Sequence, residues 1–123
     1  MNRTNVVIAA RGATTRVASL STGQLALIAE HLKALSEPAR LQILSTLISG
    51  PRTVNEIVQI TGMHQANVSK HLQLLYVHGI VSRRRDRQFI QYALTDQRVF
   101  ALCELVCAAI EDAADARQAL IGD

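Results

Sequence analysis

Leu25, Ile28, Leu32 and Leu35 recur at helical spacing behind Ser21 or Thr22, so the pattern predicts a capped helix from about Ser21 to Leu35. Ser36-Glu37-Pro38 restarts the chain, with Ser36 as cap and Pro38 in the first turn, where a missing N–H costs nothing. Leu41, Leu44, Leu47 and Ile48 then point inward to about Ser49, and Gly50-Pro51 ends the run. Thr53 to Glu56 reads as a capping box opening a third helix to about Thr61, which Gly62 breaks. After a turn at Met63-His64, a fourth helix runs from about Gln65 to Val77 and stops at Gly79. Two short helices across a tight glycine-containing turn form a helix-turn-helix pattern. Ile80–Arg84 and Phe89–Leu94 read as strands joined by Arg85-Asp86-Arg87-Gln88, a hairpin with a basic tip. Thr95 or Asp96 caps a last long helix to about Ala119, with Val99, Leu102, Cys103, Val106, Cys107 and Ile110 along one side. Residues 1–20 show no firm period and read as a flexible arm, ordered only where a partner subunit holds it. Residues 21–119 form the domain.

Composition narrows the class. A chain of 123 residues is one domain, and 49% hydrophobic residues suffice for one core. Aromatics are few, so the core is built from Leu, Ile, Val and Ala, which suits helices more than a sandwich. The fold expected is mainly α with a β-hairpin wing, an α+β winged helix-turn-helix. No stretch approaches the roughly 18–20 apolar residues of a membrane span. Val6–Ala10 is too short for a signal-peptide core. A cytoplasmic protein without a membrane partner is therefore expected. Two cysteines make no disulfide scaffold.

The net charge of +3 says less than its distribution. Arg83, Arg84, Arg85 and Arg87 crowd five positions, whereas the segment after Arg98 carries Glu104, Glu111, Asp112, Asp115 and Asp123 against Arg117. A basic patch on one module is the footprint of a nucleic-acid binder. On the fourth helix Val68, Leu72 and Leu75 face the core, leaving Gln65, Asn67, Ser69 and Lys70 at the start of the opposite side. Gln and Asn can bond adenine bidentately, and Ser and Lys suit phosphates or base edges. His64 at the turn also lies within reach of DNA. A plain solvated helix face would look the same; the arginine hairpin that follows tips the balance toward double-stranded DNA.

The segment Leu32-Lys33-Ala34-Leu35-Ser36-Glu37-Pro38-Ala39-Arg40-Leu41-Gln42-Ile43-Leu44 resembles the opening signature of the ArsR/SmtB family of winged-helix repressors. Val68-Ser69-Lys70-His71-Leu72-Gln73-Leu74-Leu75 with Gly79-Ile80-Val81 resembles its recognition-helix signature, and Arg83-Arg84-Arg85 with Gln91-Tyr92-Ala93-Leu94 its wing. The likeness covers about residues 25–110. One departure is the wing turn, Asp86-Arg87-Gln88, where the family commonly has a glycine. The resemblance implies a homodimer that represses its own operon and leaves DNA when an inducer binds. The residues support a dimer independently. Leu25, Ile28 and Leu32 on the first helix and Val99, Leu102, Val106 and Ile110 on the last have little left to cover inside one small domain.

Cys103 and Cys107 lie four apart on one helix face, with Cβ atoms roughly 5–6 Å apart. That spacing is awkward for a disulfide, which wants about 3.5–4.5 Å, but suits two thiolates gripping one soft ion. Two small hydrophobes at a helix interface are the plainer reading. Within the family, the Asp and His of the zinc and nickel sites on this helix, the cysteine cluster at the recognition region and the second-helix cysteine of the redox sensors all have no counterpart here. What remains resembles members that bind trivalent arsenic or antimony through last-helix cysteines. The resemblance thus implies antimony or arsenic as inducer, with a third ligand from the partner subunit, water or a small thiol. Cadmium, lead or a thiol-oxidation switch on the same pair stay open, as does a DNA binder that senses nothing through its cysteines. His71 reads as a packing and hydrogen-bonding residue. No phosphate loop, C-x-x-C motif or nucleophile with a visible base supports an enzyme.

Overall fold

The computed structural model describes residues 16–121, in two compact units that divide between Glu37 and Pro38. In the first unit the last part of the expected arm closes one helical turn, where the Ser19 hydroxyl donates to the Arg16 carbonyl at 2.8 Å. Residues 1–15 of that arm lie outside the described residues. Helix α1 spans Thr22–Leu35 behind a full capping box. The Gln24 N–H donates to Ser21 Oγ at 3.1 Å, and the Ser21 N–H donates to Gln24 Oε1 at 2.8 Å. Two donors that the first turn leaves over are thereby satisfied. Ser36 does not cap the next helix as expected. Its hydroxyl donates back to the Lys33 carbonyl at 3.1 Å and closes α1 instead.

The second unit runs α2 (Pro38–Thr46), β1 (Arg52–Thr53), α3 (Val54–Thr61), α4 (Gln65–Val77), β2 (Val81–Asp86), β3 (Phe89–Leu94) and α5 (Arg98–Ile121). Helix α4 packs on both α2 and α3, and Ile43, Leu44, Leu47, Ile57, Val68, Leu72 and Leu75 fill the space between them, almost wholly removed from water. Two inward assignments, on α2 and in the turn after it, need correcting. Leu41 is 40% exposed and Ile48 57%, while Ile43 is fully buried. On α2 the buried arc is centred between Ile43 and Leu44, which turns Leu41 away from it, and Ile48 lies in the turn beyond the helix, where it is open to water. The helix also ends at Thr46 rather than Ser49, and residues 47–49 turn. The Thr46 hydroxyl donates back to the Ile43 carbonyl at 2.7 Å, and Arg52 Nε donates to the Thr46 carbonyl at 2.7 Å.

The three strands lie in the order β1-β3-β2, all antiparallel. Strand β1, absent from the sequence reading, is only two residues, Arg52 opposite Tyr92 and Thr53 opposite Gln91. Thr53 is at once a strand residue and the cap of α3, where the Glu56 N–H donates to its hydroxyl at 3.2 Å and its own N–H donates to Glu56 Oε1 at 3.0 Å. Gly62 ends α3 at φ 73°, in the left-handed region that favours glycine. Gly79 at φ 72° ends α4 in a Schellman motif: the Ile80 N–H donates to the Leu75 carbonyl and the Gly79 N–H to the Tyr76 carbonyl. The hairpin ladder runs on to Asp86 opposite Phe89, so its loop is two residues, Arg87-Gln88, not the four expected. Asp96 is the cap of the last helix, its carboxylate accepting from the Arg98 N–H at 2.8 Å. No described helix is long and apolar enough to cross a membrane.

Candidate nucleic-acid interface and thiol pair

Helix α4 buries Val68, Leu72 and Leu75 completely and leaves Gln65, Asn67, Ser69 and Lys70 in water. At about 100° per residue, Lys70 points away from the buried stripe, Asn67 and Ser69 flank it on opposite sides, and Gln65 leans nearest to it. Ala66, unremarked in the sequence, shares the Lys70 side. The helix begins without a side-chain cap: His64 stands at the cap position, extended and exposed, and makes no cap hydrogen bond. Helices α1 and α3 are closed by capping boxes, but the first N–H groups of α4 are open to an anion. On the inner side, Arg40 Nε donates to His71 Nδ1 at 3.3 Å, tying α2 to α4, so His71 is a packing and hydrogen-bonding residue as expected.

The register divides the four wing arginines between two faces. Residues opposite one another across an antiparallel pair point the same way, and neighbours along a strand alternate. Val81, Arg83 and Arg85 therefore share a face with Leu94, Tyr92 and Ile90, while Arg84 shares the other with Gln91. Arg87 sits in the loop at φ 59°, the one non-glycine described residue in the left-handed region. Arg85 Nε donates to the Arg87 carbonyl at 3.2 Å and closes the tip. Arg83 turns back to α4: its guanidinium carbon lies 4.0 Å from the centre of the Tyr76 ring, and Nη1 donates to Gln73 Oε1 at 3.3 Å. Gln73 and Tyr76 were missed in the sequence, although both fall on the Ser69 side of α4 at helical spacing. On the opposite wing face a cleft of about 520 Å³ runs between Asn55 and Glu56 at the start of α3 and Asp86, Arg87 and Phe89 at the tip. Its two carboxylates make it a poor seat for a phosphate.

Helix α5 has no buried residue. Val99 and Leu102 are half-buried, and Val106 and Ile110 are 51% and 65% exposed. The α1 face of Leu25, Ile28 and Leu32 is likewise open, at 40–44%. Cys103 is half-buried and Cys107 exposed, one turn apart at the edge of the α5 stripe. The Cys107 thiol donates to Glu111 Oε1 at 3.7 Å. The Glu111 carboxylate pushes the Cys107 thiol above its ordinary range, with burial, the hydrogen bond and Glu104 acting in the same direction. Cys107 is thus a protonated thiol at neutral pH, the opposite of the low-pKa cysteine that peroxide sensing favours. Among the described residues no group of three His, Cys, Asp or Glu side chains is placed to hold a metal ion.

A three-helix core, a second helix with an open polar start and a basic hairpin define a winged helix-turn-helix DNA-binding module. Residues 37–83 match the family described as bacterial regulatory protein, arsR family. The chain is 40% identical over 87 residues to a "probable mercury resistance operon repressor" of Streptomyces lividans, covering 70% of each. It is 37% identical over 87 residues to the HTH-type transcriptional regulator NmtR of Mycobacterium tuberculosis, covering 71% of this chain and 72% of that protein. Its fold superposes, at a TM-score of 0.67 and 32% identity, on a homodimeric winged helix-turn-helix DNA-binding domain from Mycobacterium bovis. That match covers 80% of this chain and 94% of the other. The chain belongs to the arsR family and is a DNA-binding transcriptional regulator, not an enzyme.

Proposed function

We propose that the protein is a homodimeric repressor that holds double-stranded operator DNA in the cytoplasm and releases it when a soft ion, trivalent antimony or arsenic, binds Cys103 and Cys107. The observation that carries the DNA half is the exposed, uncapped start of α4, followed directly by the arginine wing. Gln65 and Asn67 read base edges, His64, Ser69 and Lys70 contact edges or phosphates, and Arg84, Arg85 and Arg87 follow the backbone. The apolar faces of α1 and α5 supply the dimer contact, and two-fold symmetry sets the two α4 helices about 34 Å apart, one DNA turn. Residues 21–119 form this working domain and residues 1–20 an arm.

The sensing half rests on donor chemistry. Two thiols one turn apart on an exposed helix edge suit a thiophilic ion that displaces their protons. Trivalent metalloids prefer three sulfurs, and the partner subunit, water or a small thiol completes the set. Mercuric ion is the second reading. It is satisfied by two thiolates, which is what one chain offers among the described residues, and a relative is described as a mercury resistance operon repressor.

Fluorescence anisotropy of the protein on the DNA upstream of its own gene tests both halves. Antimonite, arsenite, mercuric, cadmium and zinc ions and peroxide are titrated in turn. Release by antimonite or arsenite, lost in a Cys103→Ser/Cys107→Ser variant that still binds DNA, supports the proposal. Release by mercuric ion alone favours the second reading. Tight binding that nothing releases rejects cysteine sensing, and no binding rejects the repressor.

A further inference from the structure

We propose that Arg83 is a positioning residue: clasped by Tyr76 and Gln73, it locks the wing at a fixed angle to the recognition helix and takes no DNA phosphate itself. The inference rests on the DNA-binding reading above and divides the labour among four arginines that look alike in sequence.

Every residue from Ser82 to Ile90 is exposed, so no apolar packing fixes the direction of the outer hairpin. The base of the wing is anchored by buried Ile80, Val81 and Tyr92 and by the pairing of β3 with β1, but that packing stops short of the exposed outer hairpin. Beyond that base, Arg83 ties the outer hairpin back to α4. One face of its guanidinium lies on the Tyr76 ring at 4.0 Å, and one edge is bound to the Gln73 amide oxygen at 3.3 Å. A planar cation stacked on an aromatic face with its edge hydrogen-bonded has a defined orientation, which a lysine ammonium cannot reproduce. The neighbouring arginines differ. Arg85 bonds within the tip, Arg84 lies on the far face of the ladder, and Arg87 stands in the loop. Their charges move with the wing, so the angle fixed by Arg83 decides whether they meet the backbone while α4 sits in the major groove. A freed wing keeps those charges but must be ordered anew on each docking, which weakens binding without removing a phosphate contact.

The test is a salt titration of binding to the DNA upstream of the protein's own gene, for the wild type and Arg83→Ala, Arg83→Lys, Tyr76→Leu and Arg84→Ala variants. A phosphate contact shows as a fall of about one in the slope of log affinity against log salt. Arg84→Ala should show that fall. Arg83→Ala, Arg83→Lys and Tyr76→Leu should each lose about three- to tenfold in affinity at an unchanged slope. The Arg83→Ala/Tyr76→Leu double variant should lose no more than either single one. A slope lowered in Arg83→Ala, affinity retained in Arg83→Lys, or additive losses in the double variant would overturn the proposal. Matching thermal melts show that the variants fold. The clasp is also read without DNA, as an upfield ring-current shift of the Arg83 side-chain protons that Tyr76→Leu abolishes. Absence of that shift overturns the inference even if the repressor reading stands, whereas a wild type that does not distinguish its upstream DNA from an unrelated duplex rejects the repressor reading alone.

Discussion

Replacing Arg87 with glycine should stabilise the fold and weaken its hold on DNA, because the backbone and the side chain of this residue act in opposite senses. The two-residue loop needs a positive φ at its first position, and Arg87 supplies it at 59°. A side chain with a Cβ is penalised there by about 1–2 kcal/mol. Glycine avoids the penalty but returns about 0.5–1 kcal/mol through its greater freedom in the unfolded chain. The net gain is about 0.5–1 kcal/mol, worth about 2–5 °C in melting temperature for a domain of this size. Losing the cation should lower the salt slope of DNA binding by about 0.9. Arg87→Ala is the control: it removes the same charge but keeps the Cβ, so its slope should fall equally while its melting temperature does not rise. Thermal unfolding followed by circular dichroism, with anisotropy over a salt series, reads both quantities. If Arg87→Gly melts no higher than Arg87→Ala, the argument from backbone strain is wrong. If its slope equals that of the wild type, Arg87 does not meet a phosphate.

Ile57 is fully buried beneath α4, so Ile57→Ala should cost about 2–5 kcal/mol in urea titrations at an unchanged m-value; a cost under about 1 kcal/mol would mean the site collapses around the gap. Thr53→Ala removes the cap of α3 and should cost about 1 kcal/mol, measured the same way. The hydrogen bonds from Thr53, with help from Arg52, hold the Glu56 carboxyl below its ordinary range. An acid lowered on folding stabilises above its unfolded pKa and loses that support as pH falls through the folded value. The advantage of wild type over Glu56→Gln should therefore be present at neutral pH and shrink as pH falls below the ordinary carboxylate range, and a difference that does not shrink on acidification would contradict it. Ile110→Lys places a charge in the open α5 stripe and should shift the protein toward monomer in sedimentation velocity, with a matching loss of DNA affinity; an intact dimer would move the interface elsewhere.

The helices were legible because their signals are local. Ser21 or Thr22 ahead of an apolar stripe and Thr53 with Glu56 announce two starts, and Gly62 and Gly79 announce two ends, all of them signals that act within a few residues. Ser36 shows the limit of that method. A serine before Glu-Pro fits the start of one helix as well as the end of another, and the choice falls to the Lys33 carbonyl. Strand β1 was invisible because two residues carry no period, and its existence depends on Tyr92 and Gln91 some forty positions away. Leu41 and Ile48 were placed inward because both are apolar, although burial follows the arc that α2 presents to α3 and α4. The hairpin loop was drawn too long because arginines and an aspartate are poor strand formers. The ladder is carried through Asp86 by its partner Phe89, a pairing that propensity does not see.

At the site, the sequence showed which side chains carry charge and which carry sulfur, but not how they are divided. Arg83 and Arg84 are neighbours in the chain and lie on opposite faces of a ladder, so one clasps a helix and the other does not. Cys107 and Glu111 are one turn apart, and only the geometry makes the second a hydrogen-bond acceptor for the first. That pairing bears on sensing. An ion that takes both thiols must displace the Cys107 proton from a site where Glu111 favours keeping it, so ion uptake is coupled to proton release. The cysteines also lie at the edge of the stripe proposed to join the two subunits, so in the proposed mechanism an ion that drew them together would act on the surface proposed to set the spacing of the recognition helices. If the ion weakens DNA binding by some factor, thermodynamic linkage requires DNA to weaken ion binding by the same factor. A pair of cysteines that merely packs the stripe carries no such reciprocity, and this separates a sensor from a structural pair whatever the ion proves to be.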